Sequence, residues 1–132
     1  MKRKIYKELL NWKKSKTQKP LLLQGARQVG KTYCLKEFGD KEFSYYHLFD
    51  FMENPVLNKV FDLDLQPKRI IRDLEIIYDI NIDITNDLII FDEIQQCPKA
   101  LTSLKSFAQN LPVANITASG SSRYSIATLF SI

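Results

Sequence analysis

The sequence predicts an α/β fold, a three-layer sandwich built on a mostly parallel sheet, and three observations predict it. Short apolar runs alternate with stretches whose apolar residues recur at helical spacing. Two of the runs, Leu21-Leu22-Leu23-Gln24 and Leu88-Ile89-Ile90-Phe91, have the length and unbroken hydrophobicity of strands buried on both faces. A glycine-bracketed loop, Gly25 to Thr32, follows the first run directly and opens a helix.

Taken in order, Ile5, Leu9 and Trp12 mark an amphipathic helix that gives way to the polar linker Lys13 to Lys19. Pro20 then opens the first strand. Lys31 to Phe38 reads as a helix closed by Gly39, and Phe43 to Phe51, rich in Tyr and Phe, reads as the second strand. Asn54-Pro55 is a place for a short helix to start. From Arg69 to Tyr78 the residues Ile70, Ile71, Leu74, Ile77 and Tyr78 set one broad apolar face toward a core. Leu88 to Phe91 is the third strand, bounded by Asn86-Asp87 and the acidic pair Asp92-Glu93. After Pro98, the residues Ala100, Leu101, Leu104, Phe107 and Ala108 mark another helix, and Asn110-Leu111-Pro112 stops it before a fourth strand, Val113 to Ala118.

With 132 residues the chain suffices for one core, divided as an N-terminal basic helix and linker (1–19) and an α/β core (20–132). Residues 1–19 carry eight Lys or Arg against one acid, Glu8, which leaves eleven basic and fourteen acidic groups for residues 20–132. The net charge of +4 is therefore an N-terminal property. No apolar run approaches the roughly 20 residues of a membrane helix, and no signal-peptide core follows Met1, so no membrane partner and a cytoplasmic address are expected. Cys34 and Cys97 lack metal-ligand or disulfide spacing and read as buried small hydrophobes. His47, the only histidine, reads as a core or strand-edge residue.

Gly25-Ala26-Arg27-Gln28-Val29-Gly30-Lys31-Thr32 fits GxxxxGK[ST] at every fixed position. Gly25 and Gly30 let the backbone curl so that successive N–H groups converge on phosphate oxygens. A helix starting near Lys31 adds roughly half a positive charge from its dipole at the same place. Lys31 would reach the β- and γ-phosphates, and Thr32 would offer its hydroxyl to Mg2+, a hard cation that takes oxygen ligands. Arg27 could touch phosphate but reads first as a solvated loop side chain.

At the C-terminal end of the third strand, where ligands bind in open α/β sheets, Asp92 would hold the metal and Glu93 would orient or deprotonate an attacking water. A carboxylate beside the metal ligand suits activation of water better than transfer to a bound acceptor. A small-molecule kinase would also need an acceptor site and a lid, which the sequence does not display. The fourth strand runs into Thr117-Ala118-Ser119-Gly120-Ser121, which offers Ser119 or Ser121 as a sensor of the γ-phosphate or the water, unless this is a Ser-rich turn that merely ends a strand.

GARQVGKT, LIIFDEIQ and ITASGSS together resemble the Walker A, Walker B and sensor-1 segments of AAA-type ATPases, and more narrowly the prokaryotic AAA-domain proteins with a C-terminal domain of unknown function. The resemblance covers about residues 3–122. It implies ATP and Mg2+ as cofactors, phosphate binding by Gly25 to Thr32, metal binding by Thr32 and Asp92, Glu93 as catalytic acid/base, and Ser119 facing the γ-phosphate. It also implies a sensor strand lying between the phosphate-loop strand and the Asp92 strand. Family members continue into a fifth strand, a helical lid and a further domain, so the chain is expected to be truncated before these. The Leu21–Leu23 strand would then lie at an open sheet edge, which invites association into homo-oligomers. Two other readings stay open: nucleotide binding without turnover, and nucleic-acid binding by the basic segment Lys2 to Lys19 with Tyr6 and Trp12 interleaved.

Overall fold

In a computed structural model, residues 2–15, 19–25, 30–121 and 128–131 are described. The chain runs α1 (Lys2–Lys14), β1 (Leu21–Gly25), α2 (Lys31–Glu42), β2 (Tyr46–Asp50), α3 (Leu57–Leu63), α4 (Pro67–Tyr78), β3 (Leu88–Asp92), a single 3-10 turn (Ile94–Gln96), α5 (Pro98–Asn110), β4 (Asn115–Ser121) and β5 (Thr128–Ser131). The strands form one sheet in the order β2-β3-β4-β1-β5. The first four are mutually parallel, and β4 lies between β1 and β3, as the resemblance implied.

Three layers follow from the alternation of side chains along each strand. Leu21, Leu23, Leu88 and Ile90 pack with Ile5, Leu9 and Trp12 of α1 and with Cys34, Leu35 and Phe38 of α2. Leu22, Phe49, Ile89, Phe91, Ile116 and Ala118 face the other way, into a core closed by α3, α4 and α5. Phe91 sits in the middle of that core, fully buried, with the rings of Phe51 and Phe61 5.8 and 5.9 Å away. Burying one such side chain stabilises the fold by about 1.5–3 kcal/mol, so the sheet's inner faces carry much of its stability.

Several sequence-based expectations are corrected here. Gly39 does not end α2; it lies buried within the helix, where a Cβ would meet the Cβ of Tyr46 at 2.6 Å, so glycine serves close packing of helix on sheet. The helix instead ends at Glu42, capped by extended Phe43, whose N–H bonds to the Gly39 carbonyl, and β2 starts only at Tyr46. Ile77 and Leu101 are exposed, because the buried stripes of α4 and α5 are narrower than their apolar composition. Ser119 to Ser121 belong to β4 and pair with β1, so they are strand and not turn. Finally, β1 is not an open edge: β5 pairs antiparallel with it, Leu23 opposite Leu129, and leaves β2 and β5 as the edges. Among the described residues no helix is long and apolar enough to cross a membrane.

Candidate functional site

The site lies at the C-terminal ends of β1, β3 and β4, the edge of an open parallel sheet that gathers loops and helix N-termini. Gly25 closes β1 in buried backbone. Gly30 caps α2 with φ 79°, a left-handed conformation for which glycine is the natural choice. Ala26, Arg27, Gln28 and Val29 lie outside the described residues. Lys31 and Thr32 form the first turn of α2, where the helix dipole favours anions. Lys31 is only 4% exposed, and its Nζ donates to the Gly25 carbonyl at 2.8 Å, which bridges the two ends of the loop.

Asp92 ends β3 and is buried. The Thr32 hydroxyl donates to Asp92 Oδ1 at 2.8 Å, and the Ser119 hydroxyl donates to the same oxygen. A hydroxyl from α2 and one from β4 thus converge on a single carboxylate oxygen. These are hard oxygen donors of the kind a magnesium ion takes. Among the described residues no group of three or more His, Cys, Asp or Glu that could hold a metal is found.

Glu93 follows with φ 56°, an uncommon value for a residue other than glycine, and caps the 3-10 turn. Its N–H points at Ser119 Oγ at 3.4 Å, while its carboxylate accepts from Ser121 Oγ at 2.9 and 3.0 Å and from Gln95 Nε2 at 2.6 Å. The two serines therefore divide between the two acids, Ser119 on Asp92 and Ser121 on Glu93. The sequence offered them as alternatives for one role. Gln95 was missed altogether, since nothing in its spacing announces that it folds back onto a residue two positions earlier.

His47 and Cys97 stand apart from this cluster: His47 pairs through Nε2 with buried Asp87 at 2.8 Å, and burial pushes the Cys97 thiol above its ordinary range. A cleft of about 520 Å³ between α1 and α2, lined by Tyr6, Leu10, Tyr33, Glu37 and Lys41 among others, contains none of the acidic pair or its partners.

Neither a curated protein nor a solved structure matches this chain. A family model described as an AAA domain matches residues 17–130, a span that takes in every residue of the cluster just described. With that match over most of its length, and with a phosphate-loop signature joined to a sheet of the corresponding order, the chain belongs to the AAA domain family, whose members are nucleotide-binding proteins of the ATPase type.

Proposed function

We propose that the chain binds ATP with Mg2+ and hydrolyses it, coupled to the action of a partner. One observation carries the reading: the Thr32 hydroxyl donates to the Asp92 carboxylate at 2.8 Å, which joins the first turn of α2 to the end of β3, and the preceding residue, Lys31, is buried. This is the arrangement needed if one cluster is to hold phosphate, metal and water together.

In this reading backbone N–H groups between Gly25 and Thr32 cradle the phosphates, and Lys31 exchanges the Gly25 carbonyl for phosphate oxygens. Thr32 and Asp92 would hold the magnesium ion, which when bound neutralises charge developing on the phosphates. Ser119 would register the γ-phosphate, a role supported by its hydroxyl donating to Asp92 and accepting from the Glu93 N–H. Glu93 orients the attacking water and takes up its proton, a contribution of typically 10²–10⁴-fold for general base catalysis.

The test is a calorimetric titration with ATP and with GTP, each with and without magnesium, followed by two substitutions. Lys31→Ala should abolish nucleotide binding. Glu93→Gln should bind nucleotide as tightly as the wild type yet lose turnover by at least a hundredfold. Turnover that survives both changes defeats the proposal, and binding without turnover in the wild type reduces it to nucleotide binding alone.

A further inference from the structure

We infer that Gln95 is a positioning residue that fixes the direction of the Glu93 carboxylate, an inference that rests on Glu93 acting as the base for water. The geometry begins with the backbone. Left-handed Glu93 takes the chain out of β3 into the 3-10 turn, closed by Gln96 N–H to Glu93 O at 3.1 Å and Cys97 N–H to Ile94 O at 3.0 Å. That turn brings the Gln95 side chain back toward the end of β4.

There the carboxamide is held at both ends. Its Oε1 accepts from the backbone N–H of Ser121 at 3.1 Å. A backbone N–H can only donate, so the oxygen must face Ser121 and the amide nitrogen must face Glu93. Nε2 indeed donates to Glu93 Oε2 at 2.6 Å. The Ser121 hydroxyl, which has one proton, lies 2.9 Å from Oε1 and 3.0 Å from Oε2 and shares that proton between them. Gln95, Glu93 and Ser121 form a closed ring of hydrogen bonds.

The consequence for chemistry is an inequality between the two carboxylate oxygens. Oε2 is committed to Gln95, whereas Oε1 has only a share in the Ser121 proton and keeps lone-pair capacity for a water. Gln95 thereby selects the oxygen that receives the water's proton and holds it in place.

The test uses the full chain. Gln95→Met keeps the length and packing of the side chain but removes both polar ends. It should lower kcat by roughly ten- to a hundredfold, the range for losing a hydrogen bond to a charged group, while nucleotide affinity, read with a fluorescent ATP analogue, stays as in the wild type. In a Glu93→Gln background the same change should cause no further loss of kcat. A second readout needs no turnover: hydrogen exchange of the 15N-labelled Gln95 carboxamide should be slower in the wild type than in Glu93→Ala.

Wild-type kcat in Gln95→Met, with Glu93→Gln inactive, overturns the positioning role and leaves the hydrolysis reading intact. Wild-type kcat in Glu93→Gln removes the base and overturns both. A weakened nucleotide affinity in Gln95→Met, or an additive loss in the double variant, shows a merely structural residue. Equal carboxamide exchange in wild type and Glu93→Ala overturns the bridge itself.

Discussion

Replacing Gly39 with alanine should destabilise this protein, although the same change in most helices does the opposite. In a helix interior alanine is favoured over glycine by about 1 kcal/mol, because glycine loses more backbone freedom on folding. At Gly39 the new methyl carbon would stand 2.6 Å from Tyr46 Cβ and 3.1 Å from both Tyr46 Cγ and Leu88 Cδ2. Carbon atoms pack best at about 3.5–4.0 Å, so the worst overlap is about 1 Å. A Cβ cannot rotate away, and Tyr46 Cβ is equally fixed to its strand. Relief therefore requires α2 to lift off β2 and β3, and overpacking of this kind costs about 1–3 kcal/mol. After the helix-propensity gain is subtracted, a net loss of up to about 2 kcal/mol is expected, centred on about 1 kcal/mol, or a fall in Tm of roughly 4 °C. Urea unfolding followed by circular dichroism measures it, with the exposed neighbour Asp40→Ala as a control that should move stability by less than about 0.5 kcal/mol. An unfolding midpoint for Gly39→Ala equal to or above that of the wild type would refute the close-packing argument.

Phe91→Ala empties the centre of the core that backs β3 and should lower stability by about 3–5 kcal/mol in the same assay, while Phe91→Leu should lose much less; equal losses would mean that volume is not what matters there. The Arg69 guanidinium beside Asp64 holds that carboxyl below its ordinary value of 3.8. A depressed carboxylate contributes stability above that value and loses it as pH falls, so wild-type stability should drop more steeply than that of Asp64→Asn below about pH 4, and parallel curves would count against the pair. Deleting residues 1–19 should cost the fold itself, since Ile5, Leu9 and Trp12 cover Leu21, Leu23 and Phe38. Nucleic-acid binding by the basic segment is better examined by reversing the exposed Lys4, Lys7 and Lys14 to Glu: loss of a steep salt dependence supports that role, and unchanged affinity for DNA excludes it.

What could be read from the sequence depended on whether a signal was local. The strands β1 and β3 were legible because a strand buried on both faces is an unbroken apolar run, and the family was legible because the Gly25-to-Thr32 signature fixes residue types at fixed spacing. The pairing of Thr32 with Asp92 was legible once both motifs were assigned to adjoining edges of one sheet. Gly39 misled because a glycine after a helical pattern usually marks its end, and only the approach of Tyr46 reveals the other reason for its presence. Ser119-Gly120-Ser121 has the composition of a turn and lies in a strand because β1 pairs with all three residues. Tertiary pairing overrode local preference there. The strand β5 and the Gln95 bridge had no local signal at all, since each exists only through contact with elements distant in sequence or folded back by an unusual backbone angle.

The register of the sheet explains why the polar cluster assembles where it does. Ile90 lies beside Thr117 and Phe91 beside Ala118, and on the other flank Leu23 lies beside Ser119. Alternation then places Thr117, Ser119 and Asp92 on the α2 side of the sheet, with Leu23 and Ile90, and places Phe91, Ile116 and Ala118 on the opposite side. A slip of β4 by one residue would turn the hydroxyls of Thr117 and Ser119 into the apolar core around Phe91. It would also bring Ala118 and Gly120 to the face where Thr32 and Asp92 need a hydroxyl. Each hydroxyl buried without a partner costs about 1–3 kcal/mol, and Thr117 would lose its present bond to the Ile89 carbonyl at 2.9 Å. The apolar residues of β4 thus hold the register against that slip. Because Ser119 reaches Asp92 only in this register, burial of Ile116 and Ala118 on one face of the sheet enforces the geometry of the carboxylate on the other.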